Sequence, residues 1–209
     1  MTWAPVNCGF KEDILPFGKM YQWGRKNGIG YHDAAFKDGI STSISDMWNG
    51  KNGDEDTNTF YKYGEKSKYN YDWISEGDDT YWNVATEENP VKNNAFDPCP
   101  DGWRIPTAFE FKSLIDYVGR AWMMRDNLKG FLFYSDSDHQ SEQDEFFLPA
   151  CGRLNTLDGA AYDRNTEGYY WTNTANNGNS SYLYFYEKDC SVNKQGSRAG
   201  GCSIRCIKE

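Results

Sequence analysis

Six cysteines, two histidines and several clusters of carboxylates and aromatic rings are the residues from which this chain could build chemistry. Cys8, Cys99, Cys151, Cys190, Cys202 and Cys206 include no C-x-x-C pair, and with only His32 and His139 to join them a zinc centre is poorly supported. The same two histidines would have to activate any cysteine nucleophile, and neither sits in a local context that suggests activation. Disulfides formed in an oxidising compartment are therefore the expected use of the thiols, although spacing alone leaves their pairing open.

The carboxylates suggest hard-cation chemistry first. Asp54, Asp56, Asn58 and Glu65 match spaced oxygen positions of a helix-flanked calcium loop, but Thr59 stands where such a loop turns on glycine. Gly50, Asn52 and Gly53 just upstream also speak against an entering helix. Asp136, Asp138, Asp144 and Glu145 form a second acidic cluster. Both clusters read as solvated loops; no cofactor is expected, and calcium is the one ion that either could hold.

The aromatic residues suggest binding. Tyr182, Tyr184 and Tyr186 alternate with Leu183 and Phe185, so a strand there turns three phenol rings to one face. The polar stretch from Arg153 to Gly168 should emerge near Trp171, and such loops on a rigid scaffold commonly carry binding residues. The expected ligand-binding set is Asp158, Tyr162, Asp163, Arg164, Trp171, Asn173, Tyr182 and Tyr184. The competing reading is that the tyrosine row only covers neighbouring strands.

These residues need elements to position them. One helix is plain from Thr107, where T-x-x-E (Thr107, Glu110) offers a capping box after Pro106. Phe111, Leu114, Ile115 and Val118 then share one face, and Gly119 is a natural stop. Downstream, short runs separated by turn residues predict strands over Phe131 to Tyr134, Phe146 to Leu148, Tyr169 to Thr172, Tyr182 to Tyr186 and Cys202 to Ile207. In the last, alternation puts Cys202, Ile204 and Cys206 on one face, with Cys202 and Cys206 about 13 Å apart, too far to bridge each other. Asp33 to Phe96 lacks sustained periodicity and reads as long loops, but its many rings predict that it packs on the core. The class predicted is α+β: a small twisted antiparallel sheet, one or two helices and long loops in a single domain over 1–209, with 33–96 as a loop-rich insertion.

Charge bounds the partners. With 22 Lys plus Arg against 31 Asp plus Glu, the net charge of -9 repels phosphate backbones, so nucleic acid is not expected. No apolar run approaches the roughly 20 residues of a membrane-spanning helix. The opening Met1-Thr2-Trp3-Ala4-Pro5 already reads as domain sequence, which suggests the C-terminal part of a longer protein.

Several stretches, taken in order, resemble one family: WAPVNCG (3–9), GKMYQWGRKNGIGY (18–31), DPCPDGWRIPT (97–107), LPACGR (148–153), GYYWTNT (168–174) and CSIRCIKE (202–209). They are similar to the Fibrobacter succinogenes major paralogous domain, FISUMP, of Bacteroidetes and Fibrobacteres surface proteins. The C-P-x-G-W-R-x-P-T block and the terminal S-[VI]-R-C-[VI] carry most of that resemblance. It implies a C-type-lectin-like or formylglycine-generating-enzyme-like architecture and a Cys99–Cys206 disulfide; Cys151, Cys190 and Cys202 stand where the family usually carries other residues, and beside the resemblance the expected further pairing is Cys190–Cys202, with Cys8 free or bound to a neighbour. It also implies an extracytoplasmic place at the cell surface or outer membrane, in a lipoprotein or a fimbrial tip or accessory subunit. The partner is then a surface glycan or protein, or else only other pilus subunits.

An oxidase related to formylglycine-generating enzymes would need two neighbouring cysteines for copper, and strand spacing separates Cys202 from Cys206. The calcium-lectin signature is also incomplete: Trp171-Thr172-Asn173 is only loosely similar to its W-N-D, and Glu88-Asn89-Pro90 lies outside the expected loop. The function expected is adhesion or recognition without catalysis.

Overall fold

The helix forms where its caps require it. In the computed structural model, which describes residues 1–12, 16–30, 43–45, 59–61, 63, 72–74, 77–134 and 145–209, α1 spans Ala108–Tyr117 behind the N-cap Thr107. The Thr107 hydroxyl accepts from the Glu110 N–H, and the Glu110 carboxylate accepts from the Thr107 N–H, so two otherwise orphaned donors are satisfied. Arg104 holds the same carboxylate with both guanidinium nitrogens, at 2.6 and 2.8 Å. Phe111 and Leu114 are buried, and Ile115 and Val118 pack partly buried beside them.

Strands make up the rest of the regular structure among the described residues. They are β1 (Tyr21–Gln22), β2 (Ser43–Ser45), β3 (Thr59–Tyr61), β4 (Trp103–Arg104), β5 (Gly119–Arg125), β6 (Leu128–Tyr134), β7 (Glu145–Pro149), β8 (Arg153–Leu154), β9 (Ala161–Tyr162), β10 (Glu167–Asn176), β11 (Asn179–Tyr186), β12 (Asp189–Gly196), β13 (Gly201–Cys202) and β14 (Ile207–Lys208). Antiparallel sheets run β5-β6-β7, β10-β11-β12, β1-β13-β8-β9 and β14-β4, and β2 pairs with β3 in parallel. Two hairpins turn on residues that tolerate positive φ: Asp126 and Asn127 at 52° and 64°, and Asn177 and Gly178 at 50° and 81°. Both positions with φ above zero match the turn whose twist suits a two-residue hairpin.

The α+β, C-type-lectin-like expectation is overturned: among the described residues the regular structure is mostly β, in several small sheets rather than one, with a single short helix. The helical period occurs once, and the segments between turn residues are short, ring-rich and pair as hairpins instead. The predicted strands at Phe131, Phe146, Tyr169 and Tyr182 fall inside β6, β7, β10 and β11. The run from Cys202 to Ile207 is not one strand. Its carbonyls at Ile204 and Cys206 are taken by the N–H groups of Cys8 and Ala4, and only β13 and β14 at its ends pair as strands. The facing is as expected: Cys202, Ile204 and Cys206 enter the same core cluster.

Two cores meet along β10. One lies between α1 and the sheets, with Phe111, Phe131, Phe133, Leu148, Tyr170, Leu183 and Phe185. The other holds Trp23, Trp82, Ile105, Trp171, Ile204 and the Cys99–Cys206 disulfide. Rings from the predicted loop region do pack inward: Phe60, Trp73 and Trp82 are fully buried. Cys190 and Cys202 do not bridge; they are buried free thiols in different clusters, as Cys8 and Cys151 are also free. No helix among the described residues is long and apolar enough to cross a membrane.

Two outcomes test this packing. The disulfide spans a sequence separation of 107, so the double variant Cys99→Ser/Cys206→Ser is expected to lose roughly 4–5 kcal/mol in urea unfolding; a loss below about 1 kcal/mol would mean that other contacts close the chain ends. Burial pushes the Asp97 carboxyl up to about 6, against the pull of backbone N–H groups of Ile105 and Cys99. The folded chain thus keeps a proton that the unfolded chain has released, and stability through this group rises as pH falls from about 7 to about 4. Urea midpoints across that range are expected to give a shallower slope for Asp97→Asn than for the wild type.

Candidate functional site

The hairpin of β10 and β11 turns at Asn177–Gly178, and beyond a register shift between Trp171 and Ala175 it sets Glu167 opposite Tyr186, Tyr169 opposite Tyr184 and Trp171 opposite Tyr182. Alternation then divides the rings. Leu183 and Phe185 face the first core, whereas Tyr182 and Tyr184 are half-buried and Tyr186 is exposed on the outer face. Tyr169 lies beneath them, its ring centroid 5.0 Å from Tyr184 and 5.9 Å from Tyr182, and Tyr184 continues to Tyr186 at 5.9 Å. The four phenols form a continuous aromatic strip.

Charged groups meet the strip at Tyr169. The Arg153 guanidinium lies over the Tyr169 ring at 5.2 Å and donates to Asp163 at 3.2 Å. Burial works against this cation, yet Tyr169 and Asp163 hold its pKa above the ordinary arginine value. The Tyr169 hydroxyl donates to Glu167 at 2.5 Å. Desolvation, reinforced by Glu167, raises the Tyr169 pKa far above that of a free phenol and pushes Tyr184 up to about 12. Both remain neutral hydroxyls in any physiological medium.

The backbone that brings Arg153 here depends on Gly152. Its φ is +69°, and a Cβ there would meet the Tyr162 carbonyl oxygen at 2.0 Å, so only glycine permits β8 and β9 to close against each other. Arg153 pairs across to Tyr162, which puts both side chains on one face of that ribbon. Asp158 accepts from the Tyr162 hydroxyl at 3.0 Å and from the Ala160 N–H, so it shapes its own loop and holds an exposed ring.

The predicted site residues therefore separate into three groups. Tyr182, Tyr184 and Asp163 belong to the strip, with Asp158 and Tyr162 on the adjoining ribbon. Arg164 turns away, its guanidinium over the Phe17 ring at 5.1 Å. Trp171 and Asn173 are not surface residues: Trp171 donates to the Tyr21 carbonyl at 2.7 Å inside the second core, and the Asn173 amide donates to the Ile105 carbonyl at 2.9 Å. The Asn173 side-chain oxygen is buried without a hydrogen-bond partner among the described residues. They are framework because β1 and the strand leading into α1 cover that end of the hairpin.

Arg153, Glu167, Tyr169 and Tyr186 were absent from the predicted set. The Asn177–Gly178 dipeptide marks the hairpin but not this register: counted from the turn, Tyr169 would face Tyr186, and the shift between Trp171 and Ala175 that brings it opposite Tyr184 has no signal in the sequence. Among the described residues no cluster of three or more His, Cys, Asp or Glu could hold a metal ion. Asp54, Asp56, Asn58, Glu65, Asp136, Asp138, Asp144 and both histidines lie outside the described residues.

Chemically, the strip offers apolar ring faces edged with neutral hydroxyls, a carboxylate and a guanidinium. That combination suits a ligand with apolar faces and many hydroxyls. No protein-family model matches this chain, and neither does any curated protein or solved structure.

Proposed function

We propose that this chain is a recognition module that binds a glycan, without covalent chemistry, along the strip formed by Tyr169, Tyr182, Tyr184 and Tyr186. The observation that carries this reading is the continuity of the rings, spaced 5.0 to 5.9 Å between centroids, with Glu167 and Arg153 both at Tyr169. Sugar rings stack their C–H faces on phenols, and their hydroxyls exchange hydrogen bonds with tyrosine hydroxyls, carboxylate and guanidinium. Because the strip is built on strands and its lowest ring is buried, little order has to be gained on binding.

The motifs shared with FISUMP domains support placing the module outside the cytoplasm at a bacterial cell surface, as part of a lipoprotein or fimbrial tip or accessory protein. The excess of acidic residues agrees with a partner that is neither nucleic acid nor an anionic membrane.

A glycan-array screen of the purified chain, run with calcium and again with EDTA, tests the proposal. Saturable binding is expected, retained in EDTA and weakened at least roughly tenfold in Tyr184→Ala or Tyr186→Ala, as for an anchoring ring at an interface. Tyr117→Ala, which alters an 86% exposed tyrosine on α1, is expected to bind as the wild type does. Binding that survives both strip substitutions, or no glycan binding in either buffer, would remove the proposal; binding lost in EDTA would replace it with a calcium-dependent one.

A further inference from the structure

A second surface stands apart from the tyrosine strip, where the free edge of the β10-β11-β12 sheet runs beside α1. Among the described residues no strand pairs with the outer edge of β12. Only Glu187 and Lys188 separate the closing pair Tyr186 and Asp189, so that pair must exchange both its backbone bonds. Alternation then turns the N–H and C=O groups of Cys190 and Val192 away from β11, toward the free edge, which is covered at Cys190, 5% exposed, and more open at the half-buried Val192. The side chains of these two residues lie on the inner face of the sheet, Cys190 in the first core and Val192 partly buried against it.

Beside that edge lies a groove of about 770 Å³, lined by Phe109, Lys112, Ile115 and Asp116 from α1 and by Cys190 and Val192 from β12. Phe109 is 65% exposed at its lip. A strand added to β12 would turn alternate side chains into this groove, because residues opposite Cys190 and Val192 share their face. Edge-facing backbone groups and an apolar trough therefore lie in the same register. An extended chain uses both at once, since a helix offers no backbone groups to the edge and a small apolar molecule leaves them unpaired.

The charge around the groove selects the kind of chain. Asp116 is paired with Lys112 at 2.5 Å, so those two charges offset each other. Glu87 and Glu88 form no ion pair among the described residues, Glu87 accepting from the Phe109 N–H at 2.8 Å and Glu88 exposed. Asp189 adds an exposed carboxylate at the start of the edge strand.

We propose that β12 and α1 form a docking site for an extended peptide segment of a partner protein, which adds as a strand to β12, buries alternate apolar side chains under Phe109 and Ile115, and carries lysine or arginine beside Glu87 and Glu88. This site is independent of the glycan strip, which lies on the opposite face of the same sheet.

The test uses the whole chain and a fluorescein-labelled synthetic peptide of alternating valine and threonine with two lysines at each end, read by fluorescence anisotropy. Saturable binding in the micromolar range is expected, weakened at least roughly tenfold when alternate peptide nitrogens are methylated or when glutamates replace the lysines. Glu88→Lys, at an exposed position, is expected to weaken binding at least about threefold with the circular dichroism unchanged, and Tyr184→Ala is expected to leave it unaltered. The proposal is overturned by absence of binding at about 1 mM peptide, by equal binding of the methylated peptide, by an unchanged affinity in Glu88→Lys, or by sedimentation showing that β12 is instead occupied by a second copy of this chain.

Discussion

The Arg205 guanidinium is buried with no carboxylate paired to it among the described residues, and much of the fold is arranged around satisfying it. Its Nε donates to Asn7 Oδ1 at 2.8 Å, one terminal nitrogen to the Ala4 and Pro5 carbonyls, and the other to the Phe147 carbonyl, while the group lies 4.9 Å from the Phe146 ring. Burial lowers its pKa, yet an arginine side chain keeps its proton in proteins, so the charge must be met by carbonyl dipoles. Few backbone arrangements supply three carbonyls and an amide oxygen to one buried fork. The cation thereby fixes how the N-terminal segment, β7 and the C-terminal segment meet. The next residue, Cys206, adds the covalent tie to Cys99, and Ile207 pairs with Trp3.

From this node the constraint reaches the surface through Asn7. Its side-chain amide donates to the Phe17 carbonyl, the Tyr170 hydroxyl and the Cys151 sulfur, while Tyr170 also donates to the Pro149 carbonyl at 2.7 Å. Tyr170 is the inward neighbour of Tyr169 on β10, so holding one ring inside sets the position of the other outside. The backbone of Ser203 bonds one edge of the same strand on either side of Tyr170, to Tyr169 and Trp171. The tyrosine strip is thus held from behind by the closure of the chain ends.

How much of this could be read from sequence depended on whether the governing contacts were local. The helix was legible because its capping box lies within four residues. β6, β7, β10 and β11 were legible because alternation and turn residues mark them. β5 and β12 were missed: GRAWMMR and DCSVNKQG lack clean alternation and become strands through their hairpin partners. Trp171 and Asn173 were assigned to a binding surface because nothing near them in sequence shows that Tyr21 and Ile105 cover them. The Cys190–Cys202 pairing failed for the same reason, since each thiol is claimed by a different core. The disulfide Cys99–Cys206 came from motif resemblance, not from spacing. The α+β expectation weighed one strong helix too heavily against many short hairpins.

Hydrogen exchange on Arg205→Lys tests the central role of this node most directly. A lysine keeps the charge but has no fork with which to reach Asn7, Ala4, Pro5 and Phe147 together. The account expects amide protection to fall together in the N-terminal segment around Ala4 and Cys8, at Ser203, and across β10 and β11, well away from the substitution. Loss confined to the first few residues, with the strands of the tyrosine strip protected as in the wild type, would contradict it.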